Sequence, residues 1–424
     1  MPAAPVATLT PDAPRVRSHR SVVSFLAFLA MVMAVGVDIA LPAFGRIDRQ
    51  FGVTDGGGSI SLVISAYFFG MALGQLVFGP AADRFGRRAC LVVGIVLTMV
   101  GALGSAVAPS FGLLLAARLV WGVGAASPGV LRTTIARDLF DGEEMARVVS
   151  VVMAVFLIGP IIVPSIGQGI LAVASWRWVF GAATIVSVIG LAWSVRFGET
   201  LRPEHRRPLD ARTFLAGART VVTHRATMGF ILAQTFATGA FQIFLGSGQP
   251  IIERIYDRGS QFALLFGVCG VFIAAALLGS NRLLGRFGTR TMVQRISVVF
   301  AGLAVVGLAM FLAFDGRPPF LAWFGWLAVT NATVVMMSPM CNALALEPMG
   351  ALAGTASAVL GAITLAGGAT LASVFDALIE DSVTPMGVGY VVYSALAVVC
   401  VRFAGRRLDA AAPPIQVHVP LAEP

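Results

Sequence analysis

Twelve stretches of about twenty mostly apolar residues, separated by short arginine-bearing segments, make up most of this 424-residue chain. They lie near 22–44, 59–80, 89–108, 112–135, 147–171 and 177–196, then near 226–247, 261–280, 292–314, 320–342, 351–375 and 386–404. A helix of that length crosses the ~30 Å hydrocarbon core of a bilayer. Water offers no comparable solution. The chain is 57% hydrophobic and 12% charged, against about 25% charged in a typical soluble domain, and too little polar surface exists to cover it. The expectation is an all-α membrane protein. The fourth, tenth and eleventh stretches carry polar groups or proline and need neighbouring helices to satisfy them. The first follows "RVRSHR" and precedes "ALPA", as a secretory signal would. It is longer than a signal's apolar core and contains Asp38, so it reads as a retained helix.

All thirty basic residues are arginine. Without lysine there is no phosphate-binding P-loop, hence no ATP-driven pump in this chain alone, and no lysine Schiff base. The four cysteines are far apart and lie in apolar runs, so they read as packing residues. His19, His205 and His224 lie in polar segments and His418 in the tail, with no metal-ligand spacing. The net charge of +9 comes from arginines that flank apolar segments instead of forming one stripe. That pattern fits anionic headgroups and topology control, not nucleic acid. With the N-terminus inside, 22 arginines fall in cytoplasmic segments and 6 (Arg46, Arg49, Arg177, Arg254, Arg258, Arg317) outside, while Arg118 and Arg132 lie within the fourth stretch. Both termini are then expected to be cytoplasmic. The longest polar stretch, 197–225, separates two sets of six spans. The expected organisation is an N-tail (1–21), a bundle (22–196), a cytoplasmic central loop (197–225), a second bundle (226–404) and a C-tail (405–424).

"DRFGRR" at 83–88 and "GRFGTR" at 285–290 share Arg, Phe, Gly and a final Arg at an offset of 202 residues, each after the second span of its half. Such internal similarity is a mark of transporters built from two repeated six-helix bundles. At these residues the sequence resembles the major facilitator superfamily: "GQLVFGPAADRFGRR" (74–88) is similar to its signature loop between helices 2 and 3. The resemblance extends to its twelve-span drug:proton antiporters, especially the bicyclomycin/chloramphenicol-resistance group. "DIALP" (38–42) resembles that group's first-helix motif, with Ala40 where tyrosine is common; "RLVWGVGAA" (118–126) is similar to the arginine-bearing motif of helix 4. "GPIIVPSIGQG" (159–169) resembles the antiporter motif of helix 5, with Gln168 in place of a second glycine. The resemblance implies the major facilitator fold, twelve transmembrane helices in two six-helix bundles, acting as a monomer without cofactor and driven by the proton gradient.

Asp38 is the most informative residue. An ionised carboxylate well inside an apolar helix is costly and tends to take up a proton or find a partner; the alternative is a helix-end aspartate reaching the outer headgroups. By residue count Asp38 sits about 21–24 Å from the inner side and Arg118 about 9 Å from the outer side, so the two reach similar levels. Equal depth permits pairing, and snorkelling of Arg118 to the surface is the alternative. The expectation is a proton-and-substrate switch at Asp38 and Arg118. In the loop, Gly79 and Gly86 permit a tight turn and close approach, and Asp83 can pair with Arg84, Arg87, Arg88 or the end of a second-half helix, with Asp138 as a second partner. The resemblance makes this cluster a latch on the inner gate; plain positive-inside anchoring explains the arginines but not Asp83. In the fifth span, Pro160 and Pro164 remove backbone donors, while Gly159, Gly167 and Gly169 allow close packing, either to seal an interface or simply to bend. Gln168 is a cavity wall or an interhelical bond. Tyr67, Gln75, Gln234, Gln242, Asn331 and Asn342 should face protein or a cavity.

These expectations converge on a proton-coupled antiporter that exports small amphipathic or hydrophobic compounds through an inner or plasma membrane. The alternative is a facilitator or proton symporter for a sugar or other metabolite. Against it, the second half lacks a clear buried charge. No metal cluster, nucleophile constellation or phosphate loop points to an enzyme.

Overall fold

The computed structural model describes residues 19–54, 59–202, 204, 206 and 210–410. Arg15, Arg17, Arg207, His205 and His418 lie outside them, as do the ends of both tails.

The described chain is all-helical. The first span is α1 (His19–Asp38), which stops at Asp38. A 3-10 turn at Leu41–Ala43 follows, then the short α2 (Phe44–Phe51). Pro42 supplies no backbone donor at that turn, which accounts for the interruption. The first half continues with α3 (Leu62–Phe85), α4 (Arg87–Val107), α5 (Phe111–Leu139), α6 (Gly142–Val173) and α7 (Trp176–Phe197). The 197–225 stretch is not a plain loop. It contains α8 (Ala211–Thr223), which starts where the Asp210 carboxylate accepts from the Arg212 N–H at 2.9 Å. Its apolar residues recur at helical spacing (Phe214, Ala218, Val221), and at Gly217 it approaches Leu352 and Thr355. Charge density had hidden this amphipathic segment.

The second half comprises α9 (Arg225–Pro250), α10 (Phe262–Phe287), α11 (Thr289–Ala313), α12 (Phe320–Leu346), α13 (Ala353–Asp376) and α14 (Thr384–Ala410). Phe320–Asp376 is one 57-residue apolar stretch, long enough to cross twice. The backbone breaks it at Gly350 (φ 44°, ψ −115°), a conformation open to glycine. Twelve helices among the described residues thus have the length of a bilayer span: α1, α3–α7 and α9–α14.

The repeated loops fold alike. Gly86 (φ 94°, ψ 159°) ends α3 and begins α4, and Gly288 (φ 73°, ψ 153°) does the same between α10 and α11. Within the first half α5 packs on α3 and α4, and α1 on α6; within the second α9 packs on α12, α13 and α14. The halves meet where α3 lies on α13 and α6 on α10. Val77, Val93, Val100, Leu103 and Ile185 are exposed, as an apolar solvent allows. Alternating helix directions place Phe197, Arg225 and the Gly86 and Gly288 turns at one end, the terminal end. The far end carries Pro42, Ser61, Glu253 and Asp376.

The α3–α5 contact rests on backbone proximity. A Cβ on Gly122 would lie 2.0 Å from the Tyr67 carbonyl oxygen, whereas one on Gly112 meets nothing within 4 Å. Lacking a hydrophobic drive between helices, membrane packing depends on such approaches. Gly122→Ala is therefore expected to cost about 1–3 kcal/mol of stability, as overpacking does, and to lower the thermal midpoint in detergent, while Gly112→Ala leaves it unchanged.

Candidate functional site

Asp38 and Arg118 lie in one layer of the first half, and both are buried. They form no ion pair. Arg118 donates from Nη1 to the Gly36 carbonyl at 2.9 Å and from Nε to the Val63 carbonyl at 3.1 Å. Its guanidinium carbon stands 4.6 Å from the Tyr67 ring centroid and 4.9 Å from that of Trp121. Desolvated cation–aromatic contacts contribute about 2 kcal/mol each, comparable with the several kcal/mol that burying an ion costs. Two carbonyls and two aromatic faces therefore hold the arginine without a carboxylate, and this is why it does not snorkel.

Gly36 makes the arrangement possible, since a Cβ there would stand 2.3 Å from the Tyr67 hydroxyl. Tyr67 lies within electrostatic reach of both Arg118 and Asp38. Among the described residues Asp38 takes part in no hydrogen bond or ion pair. Arg118 Nη2, Tyr67 Oη and Trp121 Nε1 are also buried without a partner. Such unmet capacity is uncommon in a folded interior, and here it gathers beside the break between α1 and α2. Further along α5, Arg132 stands 5.0 Å over the Phe156 ring, with Nε and Nη1 unpartnered.

At the terminal end, Arg87 is buried and central. It donates to Asp83 at 2.6 Å and to Asp138 at 3.0 Å. Asp83 thus bonds within its own half, not to a second-half helix. Arg84 and Arg88 are exposed, with Arg84 over the Phe85 ring. Gly86 takes the turn its positive φ requires, whereas Gly79 has open space around it and makes no close approach. The sequence reading missed Glu199, whose carboxylate accepts from the Arg87 and Arg88 N–H groups at 2.8 and 3.3 Å. The signal was available: α4 begins at a glycine, which offers its first turn no side-chain acceptor.

The α6 motif runs through an unbroken helix despite Pro160 and Pro164. Gly159 and Gly167 lie against α1 and the turn after it, where a Cβ would approach Ala34 to 2.5 Å and the Ile39 carbonyl to 2.7 Å. Pro160 and Ile161 face Gly270 and Gly267 of α10, at the seam between halves. Gly169 contributes no close packing: it is exposed, with nothing near its Cβ position. Gln168 is half-buried and makes no hydrogen bond. Of the remaining polar groups, Gln75 faces Gly361 across the seam, Gln234 donates to Ser338 at 3.0 Å, and Asn331 accepts from Tyr390 at 2.8 Å. Both amide atoms of Gln242 and the Asn342 Oδ1 are buried without a partner. The second half does hold a buried carboxylate, Asp376, at the last residue of α13. It falls one residue past the predicted span 351–375, so the expectation that the second half lacks a buried charge does not hold.

The sequence model of the Major Facilitator Superfamily matches residues 26–373. The chain belongs to that superfamily. It is a multi-pass membrane transporter, not an enzyme. It is 30% identical over 370 residues to the "Uncharacterized MFS-type transporter YdgK" of Bacillus subtilis, covering 85% of this chain and 90% of that one. It is 28% identical to the "Bicyclomycin resistance protein homolog" of Haemophilus influenzae, with the same two coverages, 85% and 90%. It is 26% identical to "Multidrug resistance protein D" of Escherichia coli, covering 89% and 95%. Among solved structures a D-xylose-proton symporter superposes with a TM-score of 0.75 at 16% identity, covering 91% of this chain and 97% of that one, a likeness of fold.

Two substitutions probe the first half, one in the Arg118 layer and one at the terminal end. Arg118→Lys loses the planar fork that reaches two carbonyls while stacking on rings, and is expected to lower the thermal midpoint of the purified transporter by several degrees. Glu199→Ala removes the acceptor at the head of α4 and should cost about 1 kcal/mol, the usual value of a cap. Unfolding followed by tryptophan fluorescence reads both.

Proposed function

We propose that this transporter is a proton-coupled antiporter that exports small amphipathic or hydrophobic compounds, antibiotics among them, by alternating access. The observation that carries the reading is Asp38: a buried carboxylate without a hydrogen bond, beside Tyr67, at the interruption of a transmembrane helix. A carboxyl group so placed can exchange a proton for the polar or cationic part of a substrate, and competition for one site links the two flows. Arg118, locked to the backbone of α1 and α3, acts in this scheme as a fixed positive charge that tunes the site, not as the partner released on protonation. The names of the bicyclomycin- and multidrug-resistance relatives support export of such compounds.

The arginine bias of the sequence supports a terminal end in the cytoplasm of a cell-membrane protein, which would work as a monomer. Hydrogen bonds and ion pairs then join the halves at the external end: Arg49 to Glu253 at 2.9 Å, Arg254 to Asp48, and Ser65 to Ser373 at 3.1 Å. Among the described residues Asp83 bonds only to Arg87, so the cytoplasmic latch is disengaged in this reading. This is the arrangement of an inward-facing transporter, and Asp83 would cross to the second half in the opposite state.

Everted vesicles loaded with a pH-sensitive dye test the reading. Addition of a transported compound is expected to collapse part of the preformed proton gradient, and Asp38→Asn to abolish that response while the protein still reaches the membrane. A full response from Asp38→Asn sinks the assignment of Asp38, and no response to any drug in a broad panel sinks drug antiport.

A further inference from the structure

The seam between the halves closes at its far end on a second buried carboxylate. Asp376, at the end of α13, accepts a hydrogen bond from Ser247 of α9, and Ser61 at the head of α3, whose hydroxyl meets that of Ser59 at 2.8 Å, stands beside it. Ser247 belongs to the same half as Asp376, and Ser61 to the other. All three side chains are buried. The backbone makes room for them: a Cβ on Gly246 would lie 2.5 Å from an Asp376 oxygen and 2.7 Å from Ser61 Cβ. One turn deeper, Ser65 and Ser373 meet hydroxyl to hydroxyl at 3.1 Å, again across the seam.

The charged and titratable surroundings define what this carboxylate can bind. On α14 the phenols of Tyr390 and Tyr393 lie within electrostatic reach of it, their hydroxyls bonded to Asn331 and to the Leu371 carbonyl. Among the described residues, Ser247 of α9 and Ser61 of α3 are the polar side chains beside it. The arginines of the far end are engaged elsewhere: Arg49 with Glu253, Arg254 with Asp48, Arg317 with Asp381, Arg258 with Gln261, and Arg46 and Arg177 with the Ala174 and Ala108 carbonyls. Among the described residues no cation compensates Asp376, and neutral hydroxyls recover only part of what a buried negative charge loses on leaving water.

We propose that Asp376 is a second protonation site, distinct from Asp38, whose proton holds the far end of the transporter shut. Neutral Asp376 keeps its close contact with Ser61 across the seam at no electrostatic cost. Loss of the proton leaves an ion in a low-dielectric seam, and separating α3 from α9 and α13 lets water reach it. Deprotonation therefore favours separation of the halves at that end, and closure takes up a proton. The inference needs only the alternation of two halves. It does not depend on the substrate or on proton exchange at Asp38.

The test places spin labels at Val173→Cys and Leu321→Cys, exposed far-end positions in opposite halves, after replacement of the four native cysteines, and measures their separation by pulsed dipolar spectroscopy. Raising the pH from about 6 to about 8 is expected to enlarge the long-distance population by more than about threefold, within the limit for one linked proton. Asp376→Asn, which retains a bonding partner for Ser247, should hold the short distance at both pH values, and Asp38→Asn should still shift. Should Asp376→Asn not fold, Ser61→Ala serves: with one hydroxyl fewer beside the buried ion, its long-distance population at the higher pH should exceed that of the parent. A pH shift unchanged in Asp376→Asn, no shift in the parent, a shift that follows sodium at fixed pH, or no excess in Ser61→Ala overturns the proposal.

Discussion

The first half is organised around the solvation of one guanidinium in a place without water. Arg118 is fully buried and bonds no carboxylate among the described residues, so backbone carbonyls and aromatic faces replace water. Each substitute constrains another element. The Gly36 carbonyl comes from α1, the Val63 carbonyl from α3, and the rings stand on α3 and α5, so the arginine ties three helices together. The tie holds only at close approach, which Gly36 and Gly122 provide by lacking side chains. Asp38 is left two residues from a carbonyl that Arg118 occupies, near the charge but not consumed by it. A carboxylate used as a permanent counter-ion could not exchange protons at modest cost, whereas one beside a separately solvated cation can.

The terminal-end cluster and the far-end seam follow different rules. Arg87 is buried between two aspartates, and its helix begins on a carboxylate borrowed from Glu199, so the turn at Gly86 is fixed within its own half. At the far end the links cross between halves and are of two kinds. Exposed ion pairs such as Arg49–Glu253 contribute little each and are screened by salt. Beneath them the Asp376–Ser61–Ser247 contact is buried. A seam that must open repeatedly is better served by a few switchable contacts than by a continuous apolar interface.

Much of this was readable in the sequence because a bilayer imposes a length and a polarity on every span. The succession of apolar spans follows from those constraints, and the two repeated "RFG" loops fold into the same positive-φ turn. Depth arithmetic correctly placed Asp38 and Arg118 in one layer, but depth carries no azimuth. The rotation of α3 that sets Tyr67 against the guanidinium depends on three-helix packing. Gly79 and Gly169 show the same limit: motif glycines look alike in sequence, and only the neighbour facing each one distinguishes a contact from open space. Asp376 and Glu199 were missed because they stand at span ends, where a polar residue ordinarily meets water or headgroups. The amphipathic α8 was hidden by the charge around it.

The central claim is that Asp38 is an unpaired, exchangeable carboxyl beside an independently held arginine. Calorimetric titration of the purified transporter with a bound compound, repeated in buffers of different ionisation heat, counts the protons moved on binding. Release of about one proton per compound between pH 6 and 8, lost in Asp38→Asn but kept in a variant with its far end altered at Ser65→Ala, is the result the account predicts. Binding heats independent of buffer in the parent, or proton release that persists in Asp38→Asn, would contradict it.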